Sequence, residues 1–417
     1  MTRVIPETEM SGSTTDILRE GYRYIPDHME ELGTDIYRTR ILGQKSIVMT
    51  GPEAVELFYN ERYFERSTAI PPRVRSTLFG TGGVQVLDDR QHRHRKAMFM
   101  SLMTMPRLQL IAEIAAEQWE NAARKWEKEK TVVLFDEAQK VMLRTACRWA
   151  GVPLQEKDTA KRAKQLTELV DALGGVGPRY WKGVLARHSV DEWMAEVIKQ
   201  ERSGKLRAPE GSPLRVISRH QELDGSPLST HTAAVELVNI IRPITAISWY
   251  VMFGAMAMLA NPETRGRLAT GEETYAHMFT QEVRRFYPFG PFLGARVRRN
   301  FRWKDMRFRK GELVFLDIFG MNRDGRLWEE PDRFIPERFR NWTGTPFDFI
   351  PQGGGDHYLG HRCAGEWVTI EVMRESMQFL AGKIDYRIPS QNLHMDLGRI
   401  PIMPESRFIM TDVRLKR

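Results

Sequence analysis

The 417-residue chain is predicted to be mainly α-helical with small β-sheets. Three observations lead there. From about Gln91 to Ala260 apolar residues recur three and four apart, as in "MPRLQLIAEIAAEQWENAARKW". Short alternating runs are confined to the flanks of that region. No linker divides the chain, so residues 1–417 are expected to form a single domain, although the length alone would allow two or three.

Taken in order, "TDIYRTRILGQKSIVMTG" predicts two strands turning near Gly43 and Gln44, and "GPEAVELFYN" begins a helix. "ERSGKLRAPEGSPLRVISRHQELDGSPLS" is rich in Gly, Pro and Ser and predicts a loop with a short helix. Ser229 or Thr230 caps the long apolar helix that follows, and Asn261-Pro262 ends it. "TYAHMFTQEVRRFYP" is helical, "ARVRRNFRW" and "ELVFLDIF" are strands, and "CAGEWVTIEVMRESMQFLAGK" is helical from its first residues. The tail from "IDYRIPS" is strand and loop.

Composition narrows the function. With 41% hydrophobic and 28% charged residues this is a globular chain. The opening lacks the profile of a secretory leader, and the apolar run carries Glu236 and Arg242, so no membrane span is expected. Two cysteines, Cys147 and Cys363, exclude a disulfide framework and suit a reducing, cytoplasmic setting. The net charge of +8 could favour an anionic partner. Basic residues are interspersed with acids, however, with no basic stripe and no zinc-finger spacing, so nucleic-acid binding is not expected.

Cys363 lies in "FDFIPQGGGDHYLGHRCAGEWVTIEV", where a glycine-dense loop delivers the thiol to a helix start. Free N–H groups there favour thiolate. Taken alone, it could ligate a soft metal centre such as haem iron, act as a nucleophile, or be an inert buried thiol. No G-K-[ST] follows the glycines, which rejects a phosphate loop, and too few thiolates are present for zinc.

Two further stretches narrow this. "QEVRRFYP" places Glu282 and Arg285 on one helix face, and "PDRFIPERF" contains Pro336, Arg338 and Phe339 in a P-x-R-F arrangement. E-x-x-R, then P-x-R-F, then a glycine loop ending in Cys-x-Gly, in that order, resembles the cytochromes P450. The resemblance implies that family's fold, and haem b with Cys363 as axial iron ligand. Glu282, Arg285 and Arg338 would form the network behind the haem, and Glu282 and Arg285 count among the residues expected to hold the cofactor. "HRHRKAMF" resembles the family's basic helix, making His92 and Lys96 candidates for the haem propionates; solvated surface charge is the plainer reading of both. His361 stands where arginine is usual, and Asp356 where phenylalanine is usual.

The long helix, "VELVNIIRPITAISWYVMFGAMAMLAN", lacks the acid–threonine pair with which ordinary members relay protons to oxygen. Thr245 has no acidic neighbour. Pro243 cannot donate to the Asn239 carbonyl and should kink or open the helix. Arg242 cannot shed its charge, so burial demands an anion. Glu236, six residues earlier, should face elsewhere. The anion is then a substrate carboxylate, or else Arg242 reaches a haem propionate, another acid or the surface.

Arg242-Pro243, with "RRFYPFGPFLGA" and "IPQGGGDHYLGHRCAGE", resembles the fatty-acid peroxygenase branch. That resemblance implies hydrogen-peroxide-dependent hydroxylation of long-chain fatty acids at the α or β carbon, with no redox partner required. The substrate carboxylate, held by Arg242, would be general base and then acid. Gln85 matches a distal-pocket position where some relatives have histidine. Glutamine cannot exchange a proton near neutrality, which favours hydroxylation over decarboxylation to a terminal alkene. Phe79 and Phe289 match pocket residues, and Leu173 is expected to line the acyl channel; core packing accounts for all three nearly as readily. The alternatives are a peroxide-dependent decarboxylase, a conventional reductase-fed monooxygenase and a non-catalytic fatty-acid binder. The 21 methionines are a liability beside peroxide.

Overall fold

The computed structural model describes residues 5–6, 14–41 and 43–416; the opening stretch read for a leader lies largely outside these. Ten strands form three small sheets: β1 Ile36–Ile41, β2 Gln44–Met49, β3 Phe64–Glu65, β4 Thr131–Val133, β5 Phe292–Val297, β6 Phe301–Trp303, β7 Met306–Phe308, β8 Leu313–Asp317, β9 Ile384–Arg387 and β10 Ile409–Leu415. The largest has the order β1-β2-β8-β5-β3. Its β1–β2 hairpin pairs Ile41 with Gln44 at the turn, where the sequence places it. β10 carries β4 and β9 on its two sides, and β6 and β7 form a hairpin. The rest is dominated by helices, as expected.

At the centre runs a 31-residue helix, Thr230–Ala260. Ser229 Oγ accepts from the Thr232 N–H at 2.9 Å, satisfying one of the helix's free donors. The helix is buried along most of its length, packing on the helices Leu134–Ala150, Pro178–Arg202 and Glu366–Gln378. It is long and apolar enough to cross a bilayer, yet 83% of its most apolar window is buried inside the protein. It is the core helix of the fold.

Pro243 does not end the helix, which continues through it. Proline removes one hydrogen bond and costs about 3 kcal/mol, and packing of the flanking turns outweighs that. The cysteine helix also differs slightly from expectation, beginning at Glu366 after a cap at Gly365.

Candidate active site

The glycine loop has a steric cause. Gly353 and Gly355 have φ of +90° and +77°, a region that side-chain-bearing residues rarely adopt. A Cβ on Gly354 would sit 2.8 Å from both the Pro346 carbonyl and Ile350. Asp356 then caps the turn, its Oδ1 accepting the N–H groups of Tyr358 at 2.8 Å and Leu359 at 2.6 Å. A phenylalanine could not make those bonds. The loop thereby sets Cys363, whose N–H donates to the Gln352 carbonyl at 3.1 Å, just before the cysteine helix.

The thiol is not held as thiolate by that helix start alone. Burial pushes its pKa up and Glu366 adds to this; Lys96, the Gly365 N–H and Arg284 pull the other way without prevailing. The sequence-based expectation overstated the helix terminus, and a bound metal is what would hold the sulfur ionised.

His92 and Lys96 come together beside the cysteine loop, both buried, so the reading as solvated surface charge is wrong for them. Lys96 Nζ donates to the Arg362 carbonyl, next to Cys363. Burial lowers Lys96 to about 8 and His92 to about 3. His92 stacks on His361 with ring centroids 3.7 Å apart, and its Nδ1 is buried with no partner. His361 lies 3.7 Å from Asp88, whose oxygens also accept the N–H groups of Arg66 and Ser67. A soft thiolate with a buried amine and imidazole at its margin fits the iron and the propionates of a haem.

Glu282 and Arg285 need correcting as cofactor-holding residues. Arg285 donates twice to Glu282 at 2.7 Å, and to the carbonyls of Asn322, Pro331 and Arg333 at 2.9, 2.9 and 3.0 Å. All five guanidinium donors are used. Glu282 also accepts from Ile335 N at 2.8 Å and Arg338 Nε at 3.2 Å. The triad closes on itself and on backbone, fixing the segment before the cysteine loop and leaving nothing to offer a ligand.

On the other side of the site, Arg242 is 8% exposed, and its Nε is buried without a partner. Among the described residues no acid pairs with it. Its guanidinium lies over the Phe79 ring, 5.8 Å from the centroid. Burial drops its pKa to about 9, with Arg187 lowering it further and Cys363 opposing. Glu236 faces elsewhere as expected, bonded to Arg95 at 2.6 Å and to Asn239 at 3.0 Å. Thr245 spends its hydroxyl on the Ile241 carbonyl, at 2.9 Å, so it is not free for a proton relay.

Gln85 Oε1 accepts from Asn239 Nδ2 at 3.2 Å, one turn before Arg242. A Cβ on Gly83 would meet these two amide atoms at about 3 Å, so the loop closes on them only with glycine there. Phe289 packs on the central helix against Tyr250 and Trp249, at 5.6 and 5.9 Å. Leu173, in the turn Ala172–Gly174, is half-buried against the main core, where nothing ties it to Arg242.

Sequence reasoning missed Arg284, Gln352 and Glu366. Arg284 donates to Gln352 Oε1 at 3.1 Å and to Glu366 Oε1, and Gln352 Nε2 lies 3.7 Å from Cys363 Sγ. The available signal was the doubled arginine of "EVRRF", of which only the second belongs to E-x-x-R.

A cysteine set in a glycine loop, with buried Lys96 against Arg362 and buried His92 against His361, is what a haem-thiolate protein requires. The sequence profile described as Cytochrome P450 matches residues 272–371, which include Cys363 and exclude Cys147. Three solved structures are similar over nearly the whole chain. Cytochrome P450EX alpha (CYP152N1) with myristic acid is 38% identical, covering 99% of this chain and 100% of that one, with a TM-score of 0.95. Cytochrome P450SP alpha (CYP152B1) with (R)-ibuprofen is 41% identical, covering 96% and 98%, at 0.94. Ligand-free cytochrome P450 OleT is 36% identical, covering 99% of each, at 0.96. Curated relatives are more distant: ent-isokaurene C2/C3-hydroxylase of Oryza sativa subsp. japonica is 24% identical over 53% of this chain, which spans 49% of that protein's length. The chain belongs to the cytochrome P450 family, on the side of its fatty-acid peroxygenase branch. Membership brings haem b with a cysteine thiolate ligand.

Proposed function

We propose that the protein uses hydrogen peroxide to hydroxylate long-chain fatty acids at the α or β carbon, as one haem-bound unit without a redox partner. One observation carries this reading: Arg242 is buried in the central helix with no anionic partner among the described residues. A buried charge left unpaired is costly, and a carboxylate is the anion whose shape matches a guanidinium fork. The relatives support the ligand class, since one structure holds myristic acid and another (R)-ibuprofen, both carboxylic acids.

Cys363 would hold the haem iron, with His92 and Lys96 toward its propionates, and the haem would supply the oxidising chemistry. Every proton step falls to other groups. Arg242 fixes the substrate carboxylate in ionised form, where it takes a proton from peroxide and returns it to the departing oxygen as water. Thr245 takes no part, its hydroxyl being bonded to Ile241. Pro243 follows Arg242 and takes no backbone donor role; Phe79 backs the guanidinium. Pinning the head group restricts reaction to the first carbons of the chain. Phe289 and Leu173 would guide the acyl tail. Gln85, an amide bonded to Asn239, holds position but moves no proton, which favours hydroxy acid over alkene.

The test supplies hydrogen peroxide and a long-chain acid to the purified haem protein without reductase or nicotinamide, followed by mass spectrometry. Hydroxy acids carrying the new hydroxyl at the second or third carbon are expected. Turnover that needs NAD(P)H and a reductase and ignores peroxide would overturn the proposal in favour of a conventional monooxygenase.

A further inference from the structure

The proximal side of the cysteine carries an arrangement that the sequence motifs do not describe. Gln352 Oε1 accepts from Arg284 Nε at 3.1 Å, while Gln352 Nε2 faces Thr369 Oγ1 at 3.1 Å and Cys363 Sγ at 3.7 Å. Amide nitrogen and oxygen are interchangeable in shape, so the orientation must come from the partners. Here it does. A guanidinium has donors only, so the amide atom facing Arg284 must be the oxygen. Thr369 donates its own proton to the Gly365 carbonyl at 3.1 Å and is left to accept from Nε2. The second N–H of Gln352 therefore points at the sulfur.

Arg284 is itself immobilised. It is buried, with Nη1 donating to Gln281 Oε1 and Nη2 to Glu366 Oε1, and Glu366 is bonded on its other oxygen to Arg362 Nε at 2.6 Å. The chain Glu366–Arg284–Gln352–Sγ thus starts from a buried ion pair and ends on the axial ligand. Polarisation along such a chain strengthens its last bond.

The geometry points to Gln352 as a positioning residue that donates a side-chain hydrogen bond to the Cys363 thiolate, with Arg284 locking the amide so that it can only donate. Hydrogen bonding to a ligand sulfur and the polarity around it set a metal's potential and the electron density the ligand passes on. Gln352 draws charge from the sulfur, which favours ferrous over ferric iron and weakens the iron–sulfur bond. This rests on the haem-thiolate assignment and not on the identity of the substrate, so the two can fail separately.

The test is Gln352→Met in the holoenzyme, which keeps length and removes the donor. The midpoint potential of the haem is expected to fall by about 59 mV, equivalent to a tenfold change in the ferric/ferrous ratio for one electron. The iron–sulfur stretch in resonance Raman spectra should rise, with thiolate ligation retained in the ferrous–carbonyl spectrum. A purely structural role would move neither reading while the thiolate stays bound, and unchanged values would overturn the proposal. If Gln352→Met does not take up haem, Gln352→Leu decides: it removes the donor without adding charge, so the same downward shift supports the proposal and an unchanged potential refutes it.

Discussion

Arg242→Met should move activity and stability in opposite directions. Burial lowers the guanidinium's pKa from 12.5 to about 9. At about 1.4 kcal/mol for each tenfold change, the charged form carries a penalty of several kcal/mol, about 5 as an upper bound. The folded value lies below the unfolded one, so that penalty is present in full at neutral pH and fades only as the pH climbs through 9 towards 12.5. Methionine fills similar space without charge. It forfeits the contact with Phe79, worth about 0.5–1 kcal/mol. The net gain is about 1–4 kcal/mol. At roughly 2 cal/mol/K per residue, a 417-residue chain gains about 1 °C in Tm per kcal/mol, so calorimetry of the substrate-free holoprotein should show a rise of about 1–4 °C. Peroxide-driven kcat/KM for a long-chain acid should meanwhile fall about 10²- to 10⁴-fold, the cost of removing one partner of a buried charge pair. Haem uptake should stay intact. A lower Tm together with near-normal turnover would refute the argument, since it would mean that Arg242 is satisfied within the protein and grips nothing.

Three other predictions follow from the same geometry. Glu282→Gln leaves Arg285 and Arg338 without their shared carboxylate and should cost about 3–5 kcal/mol, measured by urea unfolding and haem retention; retention equal to the parent's would mean the triad is not what fixes the cysteine loop. Burial pushes Asp317 up to about 7 from 3.8, so the folded chain binds that proton more tightly and the stability it contributes is lost as pH rises through 7. The advantage of Asp317→Asn over the parent should accordingly grow by about 2–3 kcal/mol between roughly pH 5 and pH 8, and an equal urea midpoint difference at both would contradict this. Met105 is 77% exposed, whereas the methionines of the central helix are buried, so peptide mass spectrometry after limited peroxide exposure should find sulfoxide at Met105 first; earlier oxidation of Met252 or Met256 would show that peroxide reaches the core.

What could be read in advance was mostly local. The β1–β2 turn and the Ser229 cap each depend on residues within a few positions of one another, and both stand where the sequence puts them. Arg242's isolation was legible because the alternatives could be counted: Glu236 lies on the wrong face, and Thr245 has no acid beside it. Elsewhere a distant contact decides. Pro243 removes a hydrogen bond, but the helix that holds it packs against three other helices and runs on. A helix start favours thiolate, yet burial and Glu366 outweigh it at Cys363. Gln352 and Arg284 are 68 positions apart, and no spacing rule joins them.

Arg242, Arg284 and Arg285 together show how charge is distributed in this fold. All are buried, so each must answer the same desolvation cost. Arg285 answers it completely, with every donor engaged, and is therefore a structural clamp whose chemistry is finished when the chain folds. Arg284 answers it with Glu366, Gln281 and Gln352, and the last of these passes its polarity on to the sulfur. Among the described residues Arg242 has only the face of Phe79, and an aromatic ring is worth far less than an anion to a dry guanidinium. A protein that needed only stability would place a methionine or leucine at that point of an otherwise apolar helix. On the reading proposed above, a substrate carboxylate meets the charge kept there, and that same carboxylate then stands where a proton carrier is missing.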